Sequence, residues 1–175
     1  MTTYTIDPAH STVGFTVRHA GIGKTRGHFD TFSGTITVAD ETTPEGSSAS
    51  ATIDASSIDT GNEMRDNHLR SADFFEVEKY PEWTFTSTGV SGTRDEFVLT
   101  GDLTIHGVTK SVDIDVTFEG TATDAFGTDR AAFEGTTTIN RKDFGLTWNK
   151  AQAAGGVLVG EKVTISLEIE ATKEA

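Results

Sequence analysis

Between Phe97 and Phe118 the chain alternates apolar and polar residues with a period of two, and it does so twice. Phe97, Leu99, Gly101, Leu103 and Ile105 fall on one side, with Val98, Thr100, Asp102 and Thr104 on the other. Past a turn at Gly107, Val112, Ile114, Val116 and Phe118 alternate with Ser111, Asp113, Asp115 and Thr117. Successive side chains of a strand point to opposite faces, so each run makes a strand with one dry and one wet face. Strands of a parallel α/β sheet are apolar on both faces and read differently. The class that follows is all-β, as an antiparallel barrel or sandwich.

The rest of the chain supplies the partners. Val13, Phe15 and Val17 alternate with polar neighbours. Phe32, Gly34, Ile36 and Val38 share a second face with which Phe29 is out of phase, so a bulge is expected near Asp30 or Thr31. Ala49, Ala51, Ile53 and Ala55 form a third run, and Trp83 and Phe85 open a fourth. Phe133, Gly135, Thr137 and Ile139, and then Val163, Ile165, Leu167 and Ile169, complete the set after an irregular stretch holding Phe144 and Trp148. Eight strands of about ten residues give a barrel roughly 25 Å tall at the usual tilt. A barrel of that size is filled by side chains or holds one small ligand. With 175 residues and no internal repeat, the expectation is one domain spanning 1–175.

One segment breaks the pattern. Thr60 with Glu63 reads as a capping box, and Met64, His68 and Ala72 fall at four-residue steps, so a short helical insert is expected around residues 60–72. Phe74 and Phe75 follow it directly. A short helix that delivers an aromatic pair into a β protein is a plug or a lid.

Composition excludes several functions. The chain has no cysteine, which removes disulfides, iron–sulfur clusters and a thiol nucleophile. Fourteen Lys and Arg against 27 Asp and Glu give a net charge of −13, and no basic stripe exists to displace counterions from nucleic acid. The first residues carry neither a basic region nor an apolar core, and no apolar run approaches the ~18 residues of a membrane span, so a cytoplasmic protein is expected. The five histidines, His10, His19, His28, His68 and His106, show no HExxH or paired metal spacing, and there is no G-x-S-x-G elbow. Gly21-Ile22-Gly23-Lys24-Thr25 lacks the four residues a phosphate loop needs between its glycines. Neither a catalytic set, a metal site nor a cofactor other than a bound lipid is expected. Asp7-Pro8-Ala9-His10-Ser11 reads as a turn whose side chains hold the backbone.

Whether the interior is solid or hollow decides the function. Small residues at inward positions (Ala49, Ala51, Ala55, Gly34, Gly101, Gly135) leave space, and eleven phenylalanines and two tryptophans supply rigid apolar walls. From these residues alone a cavity and a packed core stand about even.

Ser57-Ile58-x-Thr60-Gly61, Arg65-Asp66-x-His68-Leu69, Asp73-Phe74-Phe75 and Tyr80-Pro81 resemble, in order and spacing, the polyisoprenoid-binding YceI-like family. Ile6-Asp7-Pro8-x-His10-Ser11 and Gly101-x-Leu103-Thr104-Ile105-His106-Gly107-Val108-Thr109-Lys110 extend the likeness to essentially the whole chain. The resemblance implies a lipocalin-like antiparallel barrel holding a long lipid, typically an isoprenoid such as a polyprenyl quinone or a prenyl pyrophosphate, as carrier or store. On that reading Phe15, Val17, Phe29, Ile36, Phe74, Phe75, Trp83 and Phe85 line the lipid. Leu99, Leu103, Ile105, Ile114, Val116, Phe133, Phe144 and Trp148 join them. His19, Arg65, His68 and Arg70 are the head-group candidates, and the partner is a long isoprenoid or fatty lipid, with a homodimer left open. Two rivals stand beside it: an enzyme of the barrel interior using His68 or His19 as base, and a stress-related structural protein without a ligand.

Overall fold

The computed structural model describes residues 1–150 and 158–175. It contains β1 (Thr2–Ile6), β2 (Thr12–His19), β3 (Gly23–Phe29), β4 (Phe32–Val38), β5 (Ser48–Asp54), β6 (Ile58–Asp59), one helix α1 (Glu63–Arg70), β7 (Glu82–Gly92), β8 (Glu96–Ile105), β9 (Val108–Thr123), β10 (Asp129–Asn140) and β11 (Val159–Lys173). Pairing is antiparallel throughout, and the order β1-β4-β5-β7-β8-β9-β10-β11 closes on itself through a β1–β11 ladder. The expected eight-stranded antiparallel barrel with one short helix is the architecture observed.

Each stave holds one of the eight expected runs, but two staves are broken and carry a further strand, β1 beside β2 and β3 beside β4. β1 and β2 both pair with β11, Ile6 opposite Ala171 and Thr12 opposite Glu168, so together they form one stave. β3 and β4 form the next, with β2 opposite β3 and β1 opposite β4. The phase slip between Phe29 and Phe32 is therefore a strand break, not a bulge within a continuous strand. Ser57 holds it open: Asp30 N–H donates to the Ser57 carbonyl at 3.1 Å and Thr31 N–H to its Oγ at 3.1 Å. Two residues of irregular backbone turn both rings inward, where continuous alternation would send one of them out.

The first break is the Asp7–Ser11 corner, built as its residues suggest. Pro8 opens a 3-10 turn at Pro8–His10, where its missing N–H costs nothing. Asp7 accepts from Ala9 N–H at 3.0 Å, and Ser11 Oγ donates to the Glu170 carbonyl at 3.1 Å while accepting the Glu170 N–H at 3.0 Å. Arg130 of β10 ties the corner down, reaching Asp7 at 2.8 Å, Asp124 at 2.9 Å and Glu170 at 3.1 Å.

The helical insert is shorter than expected and capped differently. Asn62, not Thr60, is the N-cap: its side chain accepts the Arg65 N–H at 3.0 Å. Thr60 instead gives its N–H to Asp66 at 3.0 Å, and Asp66 is the one buried residue of the helix. Met64, expected on the apolar face, is 85% exposed. The sequence spacing is met equally by a helix whose neighbouring side faces the barrel, and Leu69 takes that role by packing against the core.

Hydrogen bonds from Arg130, then from His10, hold the Asp7 carboxyl at about 2, below its ordinary 3.8. A depressed carboxyl contributes stability above its unfolded pKa and loses it as pH falls through the folded one. Arg130→Met should return Asp7 toward 3.8 and move the acid limb of unfolding to higher pH. Carboxyl-carbon NMR titration of Asp7, with urea melts between about pH 2 and 5, measures both.

Candidate functional site

The inward faces of the staves do not meet. They enclose a cavity of about 760 Å³, within the size range of ligand pockets. Val13, Phe15 and Val17 of β2, Leu99, Leu103 and Ile105 of β8, Val112, Ile114 and Val116 of β9, and Val163, Ile165, Leu167 and Ile169 of β11 all line it. Each of these faces follows the alternation read from the sequence. Phe29, Ile36, Trp83, Phe85 and Phe133 join them, and the insert contributes Leu69, Phe74 and Phe75.

Of the three expected inward glycines, Gly135 lines the cavity, whereas Gly34 and Gly101 do not open the space expected of them. The Phe15 ring lies against Gly27, its cross-strand partner, where a Cβ would meet the ring at 2.6 Å. The Phe85 ring covers Gly101 on the neighbouring strand in the same way. A phenylalanine beside a glycine lies along the wall and does not cross the lumen. The glycines thus keep the cavity open indirectly, by giving aromatic rings somewhere to lie.

The cavity has two unlike ends. Near the strand termini Val38, Ser48, Gly92, Glu96, Thr123 and Asp129, its lining turns polar and exposed, with Asp40, Glu41, Arg94, Asp129 and Lys173 forming a charged mouth. The Arg94 guanidinium stands 5.0 Å over the Phe118 ring, which pairs with Phe133 at 5.3 Å. Tyr4 is buried just inside, and its phenol pKa is raised by burial, then by Glu41 and Asp129, so it stays a neutral donor. The opposite end is aromatic: Trp83 packs against Phe29 at 4.7 Å and edge-on to Phe75 at 5.0 Å. Leu146, Val159 and a buried Arg141 complete that end.

Fourteen of the sixteen expected lining residues touch the cavity, and two do not. Phe144 is 1% exposed and packed in the core, while Trp148 packs against Phe74 at 5.2 Å and edge-on to His68 at 4.7 Å, outside the lining. The four head-group candidates also lie outside it. His19 is exposed at the end of β2. Arg65 bends back onto Thr60, its Nε donating to Oγ1 at 2.7 Å and Nη2 to the carbonyl at 2.6 Å. Arg70 donates to the Ser56 and Ile58 carbonyls at 2.8 and 3.0 Å. His68 pairs with Asp73 at 2.9 Å. Arg65 and Arg70 brace the insert, so the expected head-group cluster is not assembled over the lumen. The residues missed at the sequence level are Tyr4, the charged mouth and Arg141. Arg141 carried a readable signal, since it continues the inward parity of Phe133, Gly135, Thr137 and Ile139. His28, Asp30 and Asp59 also come together beside the β3–β6 pair, His28 and Asp30 exposed and Asp59 half-buried, with His28 Nε2 2.9 Å from Asp30 and 3.9 Å from Asp59.

Gly101→Ala should displace the Phe85 ring from the wall and destabilise the fold by about 1–3 kcal/mol, as overpacking does. Urea unfolding of the variant measures it, and an unchanged midpoint would mean that the ring has room to move.

Residues 4–171 match the family model described as the YceI-like domain. Protein YceI of Escherichia coli O157:H7 is 38% identical over 165 residues, which are 94% of this chain and 83% of that protein. BcnA of Burkholderia cenocepacia superposes with a TM-score of 0.81 at 25% identity, covering 94% of this chain and 98% of its own. A polyisoprenoid binding domain from Saccharophagus degradans, implicated in plant cell wall breakdown, superposes at 0.74 with 19% identity over 98% of each chain. The whole barrel is shared with these relatives, and the family match runs almost from end to end: the chain belongs to the YceI-like family.

Proposed function

We propose that the barrel binds one long-chain apolar lipid, an isoprenoid in the first instance, and serves as its carrier or store. The observation that carries this reading is the cavity itself, about 760 Å³ walled by aliphatic and aromatic side chains, with five of its six charged lining residues gathered at one end. Each buried methylene contributes roughly 0.8 kcal/mol, so about 20 buried carbons already reach some 16 kcal/mol, near the practical ceiling of affinity. Tail burial is therefore ample, and selectivity falls to chain shape and head group. The Saccharophagus domain, with the same fold, is named for polyisoprenoid binding. No helix among the described residues is long and apolar enough to cross a membrane.

Binding is favoured over chemistry by where the base candidates stand. Catalysis needs an oriented base beside the substrate. The His68–Asp73 pair is oriented, yet it packs edge-on against Phe74 and Trp148 and does not line the cavity.

Titration with a polarity-sensitive prenyl probe should saturate near one equivalent per chain. Leu103, 7% exposed and lining the cavity, provides the control. Leu103→Asp puts an unpaired carboxylate into an apolar interior, so binding and stability should fall together. Non-saturable binding by the parent protein, or normal binding by a stable variant, would contradict the proposal.

A further inference from the structure

One charge stands apart from the others in the cavity. Of its six charged lining residues, Asp40, Glu41, Arg94, Asp129 and Lys173 are at the mouth, and only Arg141 is at the aromatic end. Arg141 is 3% exposed. Its guanidinium donates to three main-chain carbonyls, from Nε to Gly160 at 2.8 Å, from Nη1 to Leu146 at 2.5 Å and from Nη2 to Val159 at 3.2 Å. Those bonds use three of its five N–H groups. They satisfy geometry without neutralising charge. No carboxylate lies within ion-pair distance among the described residues, and residues 151–157, Ala-Gln-Ala-Ala-Gly-Gly-Val, contain no acid. Glu161, the acid whose charge acts on Arg141, is taken by Lys142 at 2.8 Å. Burial accordingly pulls the Arg141 pKa below its ordinary value.

A buried cation without a counter-charge is costly, and an apolar side chain of similar volume would fill the same place more cheaply. Arg141 is the one charge at that end, where the rest of the lining includes Leu69, Ile105, Ile139, Leu146 and aromatic rings, and the buried Trp83 indole N–H, without a partner among the described residues, is a further donor there. The mouth, by contrast, is acid-dominated, with three carboxylates against two cations. Asp40 is held ionised there by hydrogen bonds from the Thr42 hydroxyl and N–H. An oxygen-rich, donor-free head group is repelled at the mouth and matched at the opposite end.

We propose that Arg141 anchors the head group of the bound lipid, which lies with its polar end at the aromatic end of the barrel and its tail toward the mouth. The head-group chemistry this selects is acceptor oxygen: a carboxylate, or the carbonyl of a quinone-type ring. Charge-assisted hydrogen bonds from the guanidinium N–H groups that have no partner among the described residues would hold it. The inference rests on the lipid-binding reading above.

The test uses palmitate labelled with carbon-13 at C2, and 1-hexadecanol as its uncharged counterpart. In the unmodified protein, nuclear Overhauser contacts from the labelled methylene should reach Leu146 and Val159. Contacts to Tyr4 and Phe118 would put the head at the mouth and overturn the proposal. Arg141→Gln should weaken palmitate about tenfold more than hexadecanol, while Arg141→Lys, which keeps the charge, should recover part of that difference. Equal losses for both lipids would make Arg141 a clamp of the chain and no more, which overturns the proposal as well. Should neither palmitate, hexadecanol nor a prenyl probe bind the unmodified protein, the lipid-binding reading itself falls, and the anchor with it. The Overhauser measurement needs no variant, so a poorly folding Arg141→Gln leaves the question decidable.

Discussion

Everything in this barrel depends on β11 being paired along both edges. One edge runs against β10 from Asn140 to Arg130, and the other meets β2 and then β1 in succession. A sheet of this size left open would expose a row of unpaired N–H and C=O groups and one apolar face. Closure removes both problems at once, and it requires the first stave to bend at Asp7–Ser11 so that β1 and β2 can follow a single curved neighbour. The Arg130 guanidinium sits at that bend, joining acids from three separate parts of the chain, Asp7, Asp124 and Glu170. Most of the net charge of −13 faces water, but here acids are gathered around a cation to fix a corner.

Closing the ring does not fill it. In an eight-stranded barrel the choice between solid and hollow turns on whether large inward side chains cross the lumen or lie along the wall. Phe15 over Gly27 and Phe85 over Gly101 lie along it. At the far end Phe29, Phe75 and Trp83 do the reverse, stacking on one another into an aromatic floor. The insert that supplies Phe74 and Phe75 is held by polar contacts on its outer side, Thr60 with Asp66 and Arg65, and Arg70 with the Ser56 and Ile58 carbonyls. The result is a vessel with a braced aromatic base and a charged rim, in which hydrocarbon fits and water has few partners.

How legible this was in the sequence depended on periodicity. β8, β9 and β11 announce themselves and their inward faces by strict alternation, so Leu99, Ile114 and Ile165 line the cavity as parity requires. β3, Gly-Lys-Thr-Arg-Gly-His-Phe, has a single large apolar residue and no readable alternation; its partners β2 and β6 recruit it. Outside the strands parity gives no direction, so it cannot show that Phe144 and Trp148, expected in the lumen, pack behind it. The helix cations misled for a related reason: a lid over a cavity invites a head-group site, whereas Arg65 and Arg70 spend their donors on nearby carbonyls and a hydroxyl. Arg141 was legible in parity but hidden by chemistry, since a charge at an inward position reads as the end of a strand.

On the proposed function, the barrel is a container with a single lipid place. Native mass spectrometry of the protein, first as purified and then after delipidation and exposure to a prenyl quinone, tests it directly. A population heavier than the bare chain by the mass of one lipid, restored at one per chain after reloading, is the expected result. A spectrum showing only the bare 18.7 kDa chain under both conditions would contradict it.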